Sequence, residues 1–385
     1  MTVVVEDHGL VHAEVKSMEA MRRSGESHDR SKWGGSADSV IINFIWRQVQ
    51  PAVTSGNGAH QKPAGSARKV HLQGNPRHYG RAIMFHPQTA ERRGLHISFL
   101  GVDGIGKSTL SEQLVAELRG RGLTVTPVTW RSCLDADLPA WPQQALRTLW
   151  MDTFRLLFGG AVDRDEHVIL PERYEEWTAQ RSEDQLGRLR ATASSPSGPL
   201  AAALVEFAGN VVLHAEVIRP ALERGEVVVQ ETFPYKHVLK EYLLASELTT
   251  ANANSPYSPE EVDFLFKPVE AFFGGGALSP DVGILVDGPV ELALQWRLGQ
   301  SGAVGVLEDL RTAGRPGDEG FIALQSASAR RFHAFAQKYG WIVHTVRDAP
   351  VEENVRRGLD LVLAEIARAR PSWSLMTSGT DFRAS

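Results

Sequence analysis

Cysteine is nearly absent from this chain: Cys133 is the only one in 385 residues. That excludes an internal disulfide and a Cys-rich zinc site, and it fits a reducing, cytoplasmic setting. An excess of one charge is missing too. Lys and Arg number 41 against 46 Asp and Glu, a net charge of −5. So slight an imbalance makes no case for nucleic acid or a membrane surface as partner. No stretch reads as the ~20 apolar residues of a membrane span. Glu6, Asp7 and His8 interrupt the N-terminus where a signal peptide would be apolar, and the apolar run at 40–46 is too short and too late. What is there is ordinary for a globular protein: 42% hydrophobic and 23% charged residues. At about 150 residues per domain the length allows two or three domains.

The first 93 residues are unlike the rest. Gly, Ser, His, Arg and Gln dominate, as in Thr54-Ser55-Gly56-Asn57-Gly58, and apolar periodicity is almost missing. Residues 1–93 are expected to form a disordered extension that buries too little surface to offset its ordering entropy. Its scattered basic residues, among them Lys62, Arg68 and Lys69, leave weak anion binding open. Met84, about a dozen residues ahead of the first strand, is an alternative start. A single domain is expected over 94–369, followed by a polar tail at 370–385.

The most informative stretch is Gly101-Val102-Asp103-Gly104-Ile105-Gly106-Lys107-Ser108. It fits G-x-x-x-x-G-K-[ST], the phosphate-binding loop. Glycines at 101, 104 and 106 let backbone N–H groups turn toward phosphate oxygens. Lys107 is a mobile point charge for the β- and γ-phosphates, and Ser108 offers a hydroxyl to Mg²⁺. The flanks match. His96–Leu100 reads as a strand, and Ser108–Arg121 as a helix with Leu110, Leu114 and Leu118 on one face. An anion would sit at that helix N-terminus. ATP and Mg²⁺ are the implied cofactors, held by Gly101, Asp103, Gly104, Ile105, Gly106, Lys107, Ser108 and Thr109, with Ser108 on the metal.

Beyond the loop, strands are expected at 123–128, 226–231, 282–287 and 341–346, with His167–Leu170 as a short strand or flap. Helices are expected at 139–158, 200–224 (with Pro220 kinking its end), 238–248, 260–273, 291–298, 321–339 and 351–369. The glycine-rich segment 310–320 reads as a mobile loop. This alternation implies an α/β fold: a doubly wound, mainly parallel sheet in a three-layer αβα arrangement. Ligands of such sheets lie beyond the C-terminal strand ends. Arg131, just past the second strand, is therefore a candidate substrate contact, and Gln230 and Glu231 end the strand at 226–231.

Four segments in this order resemble the thymidylate kinase family of nucleoside monophosphate kinases. They are the loop from Gly101 to Thr109, Val205-Glu206-Phe207-Ala208-Gly209-Asn210, the run Val217–Val228 containing Arg219-Pro220-Ala221-Leu222, and the run Pro280–Leu294 containing Asp287-Gly288-Pro289-Val290-Glu291. The resemblance covers about residues 95–367 and implies a P-loop kinase fold. It implies that Asp103 approaches a sugar hydroxyl of the acceptor and that Phe207 stacks on the base. It leaves room for a homodimer. The chain departs from the family at Gln230-Glu231-Thr232-Phe233, where the family carries Asp-Arg-Tyr or Asp-Arg-Phe, and at Val211, where it carries a base-contacting arginine.

A carboxylate at Glu231 can take a proton from an attacking hydroxyl. The expectation is therefore an ATP-dependent kinase acting on a hydroxyl of a nucleoside-like, nucleotide-like or sugar-bearing metabolite. The catalytic set would be Lys107, Glu231 and Asp103, with Arg311 and Arg315 on a lid that neutralises the transferred phosphoryl group. Arg131, Phe207, Gln230 and Lys236 would contact the acceptor. Arg219 and Arg297 are further contacts in reserve. The alternatives are a dTMP kinase in which other arginines replace the missing one, and an inactive nucleotide-binding regulator.

Overall fold

The structure, a computed structural model, describes residues 94–371 apart from 159–160, 164–165, 181–185 and 187–194. The expectations for residues 1–93, and nearly all of the C-terminal tail, lie outside the described residues.

Five strands form one parallel sheet: β1 (Leu95–Leu100), β2 (Val125–Val128), β5 (Val227–Gln230), β6 (Val282–Asp287) and β7 (Ile342–Thr345). Their order is β2-β5-β1-β6-β7. Every residue of β1 is buried, as a strand covered by helices on both faces must be. The chain leaves β1, crosses to β2 at one edge, and later adds β6 on β1's other side. The C-terminal end of β1 therefore faces the crevice where the strand order reverses. The phosphate-binding loop grows from that end. Two short strands, β3 (Val162–Asp163) and β4 (Glu166–His167), pair antiparallel outside this sheet.

The helix after the loop, α1 (Lys107–Gly120), buries Leu110, Leu114 and Leu118 against the sheet. At about 1.5–3 kcal/mol for each such side chain, this one face is enough to seat it. The short α2 (Trp130–Leu134) follows β2, opened by a Thr129/Ser132 capping box. Then come α3 (Ala140–Phe158), α4 (Tyr174–Gln180) and α5 (Ser197–Leu213). The expected kink has a definite form. The helix widens through a π turn at His214–Ile218, with the Arg219 N–H bonding back five residues to the His214 carbonyl, and continues as α6 (Arg219–Glu223). Pro220 has no N–H to donate, and the widened turn absorbs its ring.

By length and composition the run Ser197–Glu223 is apolar enough to cross a bilayer, contrary to the sequence reading. Here it is a packed helix. It lies against α3 and against α7 (Tyr235–Ala251), and its polar Glu206, Asn210 and His214 are buried inside the protein.

The remaining helices are α8 (Pro259–Gly275), α9 (Val290–Ser301), α10 (Asp318–Tyr339) and α11 (Val351–Ala369). The segment expected to be a mobile loop is folded. Arg311–Ala313 make a 3₁₀ turn, Leu310 bridges Arg315, and Asp309 and Arg311 are buried beneath them. The main core runs through the sheet into an aromatic cluster of Phe233, Tyr235, Phe273, Phe335 and Trp341.

Candidate active site

The loop between β1 and α1 has the backbone its glycines were expected to provide. Gly104 and Gly106 have φ of 76° and 93°. A Cβ at Gly104 would meet the Ala293 carbonyl oxygen at 2.4 Å, and one at Gly101 would meet that of Val286 at 2.3 Å. No other residue fits between β1, β6 and α9 without moving the loop. Gly106 then hands the chain to α1, whose first N–H groups open onto the crevice. This cradle fits a triphosphate.

Lys107 is 5% exposed and donates to the Val102 carbonyl at 2.6 Å. Its ammonium is held well below the ordinary lysine pKa by burial first and by the charge of Lys236 next, with Asp103 opposing. A bound anion would reverse that penalty.

Asp103 is the centre of the site. Lys236 and Lys240, one turn apart on α7, each donate to one of its carboxylate oxygens. Gln325 of α10 donates to Oδ2 at 2.9 Å and accepts the Asp103 backbone N–H at 3.1 Å. Burial raises the Asp103 pKa, but Lys236, Lys240 and Lys107 outweigh it, and the carboxyl lies well below its usual range. Two buried ammonium groups thus clamp one carboxylate, and the charge of Lys107 adds to theirs nearby. Charges cost several kcal/mol each to bury, so this excess of positive charge marks a place for another anion.

Across the loop, Ser108 Oγ donates to Glu231 Oε1 at 2.5 Å. Glu231 stands just past the end of β5, fixed by its N–H to the Val128 carbonyl at 3.3 Å. No cluster of three or more His, Cys, Asp or Glu occurs among the described residues. The pair suits Mg²⁺, which typically takes one or two protein oxygens and fills its sphere with phosphate and water.

Other expected residues are placed differently. Gln230 is 3% exposed and turned into the sheet, where its side-chain oxygen accepts from Ser98 at 3.2 Å and contacts His96 at 3.2 Å. It braces β5 to β1 and does not reach the crevice. Phe207 packs edge-on against Phe272 and Phe273, ring centres 5.5 Å apart, in the aromatic core. Arg311 is 5% exposed and chelates Asp309 with Nε at 2.8 Å and Nη2 at 3.2 Å. It is a buried pin of its loop, not an arginine on a mobile lid. Arg315 pairs with Glu247 at 2.7 Å, away from Asp103. Arg131 is exposed on α2, on the side of Tyr174, and Arg219 is exposed beside Glu223. Arg297 is closer in: its Cβ would lie 3.1 Å from a Cβ at Gly104, and it forks onto Glu308 at 2.7 and 2.8 Å.

Two small hollows, each with room for only about 20 Å³, lie near the site. One is bounded by Ile105, Gly106, Thr109, Trp296, Val346 and Asn354. The other lies along α7 between Leu157, Phe158, His237, Lys240, Glu241, Leu244, Leu307 and Asp309. Phe207 lines neither.

The sequence reading missed Lys240, Gln325, Glu241 and Glu206. A signal existed for the lysine: Lys236 and Lys240 stand at i and i+4, on one face of a single helix. Gln325 carries no such mark, because only the fold brings α10 to the loop.

No known family model matches the chain. It is 28% identical over 294 residues to a thymidylate kinase from Bifidobacterium longum subsp. infantis, covering 74% of this chain and 98% of that protein. It is 31% identical over 195 residues to the thymidylate kinases of Bifidobacterium longum strains DJO10A and NCC 2705, covering 50% of this chain and 66% of each. These are distant similarities, and the parallel sheet flanked by helices is the layout they imply.

Proposed function

We propose that the chain is an ATP- and Mg²⁺-dependent kinase of the thymidylate kinase-like family whose acceptor is a nucleoside monophosphate. The clamp of Lys236 and Lys240 on Asp103, beside the buried Lys107 of the same loop, carries this reading. Two lysines on α7 supply the cations that the missing arginine would supply. A phosphate nucleophile is already ionised and needs no base. The hydroxyl acceptor expected from the sequence needs one, and both crevice carboxylates near Lys107 are engaged: Asp103 by lysines and Glu231 by Ser108.

The position of Phe233 supports the same reading. It fills the aromatic core. If it stands for the family's aromatic residue, Glu231 stands for the aspartate and Thr232 for the arginine. Glu231 is then a metal partner and not a charge opposed to the acceptor.

ATP would lie with its phosphates in the cradle of Gly101 to Thr109, and bound Mg²⁺ would neutralise charge on the phosphates. Lys107 follows the transferred group, Ser108 and Glu231 hold the metal, and Lys236 and Lys240 seat the acceptor phosphate. Asp103, itself held by Gln325, binds both lysines directly and keeps them from repelling one another. A labelled-ATP assay across nucleoside monophosphates and the matching nucleosides tests the reading. Transfer to a monophosphate and not to its nucleoside is expected, and transfer confined to nucleosides overturns it. A specific observation keeps the hydroxyl reading as the second one: Glu231 lies at the strand end where a base would stand.

A further inference from the structure

The peptide that joins Val102 to Asp103 is held at both of its polar ends. Its carbonyl accepts from Lys107 Nζ at 2.6 Å. Its N–H donates to Gln325 Oε1 at 3.1 Å. A peptide is planar and turns as one plate. The side chain that fixes the N–H therefore also fixes the carbonyl on which the Lys107 ammonium rests. An ammonium has three N–H donors, so one on Val102 aims Lys107 and leaves two for phosphate oxygens. Gln325 also donates from Nε2 to Asp103 Oδ2 at 2.9 Å, the oxygen that Lys240 holds. One amide thus reaches both the lysine of the donor loop and the clamp on the acceptor side.

Gln325 is itself fixed. It lies on α10 and is 0% exposed. Nε2 donates a second time, to the Glu308 carbonyl at 2.9 Å, next to the Leu307 carbonyl that Lys240 holds at 2.9 Å. With two donors and one acceptor engaged, the amide has one orientation. Turned over, it would set N–H against N–H and oxygen against carboxylate. The residue type follows from the same three bonds. An ionised carboxylate at 325 has no proton for Asp103 or Glu308 and adds a like charge. A lysine cannot accept the Asp103 N–H, and a leucine makes none of the three bonds.

We propose that Gln325 is a positioning residue for phosphoryl transfer: from behind the loop it keeps the 102–103 peptide, and with it Lys107, in register with the clamp of Lys236 and Lys240 on Asp103. This rests on the kinase reading above. Gln325 touches no reacting atom, and its effect passes through Lys107 and Asp103. A misplacement of about 1 Å at a transferring group costs about 10²-fold in rate, and a peptide freed at its N–H lets the carbonyl under Lys107 move.

The test uses the full chain with ATP, Mg²⁺ and the nucleoside monophosphate it phosphorylates best. Gln325→Leu should lower kcat by about 10–100-fold. kcat/KM should fall by the same factor, because the amide acts at transfer and not at binding. Gln325→Glu keeps the size and the acceptor, and it donates to Asp103 only when protonated. Its activity, divided by that of the wild type, should therefore fall about tenfold or more between about pH 5 and about pH 8. The charged groups around the amide, namely Asp103, Lys107, Lys236, Lys240 and the Arg297–Glu308 pair, are the same in both proteins. Thermal melting separates folding from rate, and if Gln325→Leu does not fold, the pH profile of Gln325→Glu decides. A merely structural amide would give a lower melting temperature, wild-type kcat per folded molecule and parallel pH profiles. That result overturns the inference and leaves the kinase reading standing. If the wild type phosphorylates no nucleoside monophosphate, both fall.

Discussion

Ser108 and Glu231 are 123 residues apart in the chain and 2.5 Å apart in the fold, hydroxyl to carboxylate. One opens the helix after β1 and the other closes β5. The parallel register of these strands, Ser98 opposite Gln230, brings them to the same end of the sheet. The Ser108 hydroxyl donates to the carboxylate, and these are the two oxygens that would hold a Mg²⁺.

Glu231→Gln should therefore weaken Mg²⁺ use more than it changes any step at the acceptor. The expected result is a 10–100-fold rise in the Mg²⁺ concentration needed for half-maximal activity, the usual cost of altering a metal's surroundings. A magnesium titration of the variant decides it. Unchanged metal dependence with a lower rate at saturating Mg²⁺ would return Glu231 to the role of base.

Lys107→Ala should remove phosphotransfer while leaving the fold in place. Lys107 reaches only the Val102 carbonyl of its own loop, so its loss breaks no link between elements. Activity should fall by 10²-fold or more, the scale of losing one preorganised charge at the transferring group. Thermal melting and an activity assay together check it. A variant that keeps its activity would remove the loop from the active site.

The clamp on Asp103 makes stability pH-dependent. Its folded pKa is depressed, so it contributes stability above the unfolded value of about 4, and that contribution is lost as pH falls through the folded value. Acid denaturation should begin below about pH 4 and should flatten in Asp103→Asn. At pH 7 that variant leaves Lys236 and Lys240 without their carboxylate, and breaking a buried pair in this way costs about 3–5 kcal/mol. Denaturant melts at pH 7 and below pH 4 measure both. A variant as stable as the wild type at pH 7 would mean the lysines are solvated.

Arg311→Ala should act on stability first. It strips the partner from Asp309, whose side chain is fully buried, and it frees the carbonyls of Gly305 and Val304. A loss of about 3–5 kcal/mol is expected, measured by chemical denaturation. A 10²-fold fall in rate with unchanged stability would instead put Arg311 on the phosphoryl group.

The sheet was legible because each strand is a short apolar run between helical patterns. β6 and α11 match their expected bounds, and the other main strands fall within two residues of theirs. The loop was legible because glycine spacing states a backbone requirement directly. The acceptor side was not. Gln230 and Phe207 sit at positions that alternation alone cannot assign to crevice or core: Gln230 faces β1, and Phe207 faces α8. Arg311 lay in a glycine-rich segment that reads as loose. Its order comes from Asp309 two residues before it and from the Leu310–Arg315 bridge, contacts too local and too polar to leave a periodic trace. The short α2 and α4 escaped because five- and seven-residue helices show no full apolar stripe.

The grip of Lys236 and Lys240 on Asp103 has a consequence for timing. The same ammonium groups cannot give their full charge both to the loop carboxylate and to an arriving anion. Asp103 is in effect a resident competitor, tethered to the donor's own loop. On the proposed reading, an acceptor that loosens the grip would change the loop that would cradle ATP, so occupancy on one side would be felt on the other, with a coupling free energy that works in both directions. On that reading the internal counter-ion would guard the kinase against spending ATP on water, because the lysines stay with Asp103 until a second substrate takes them.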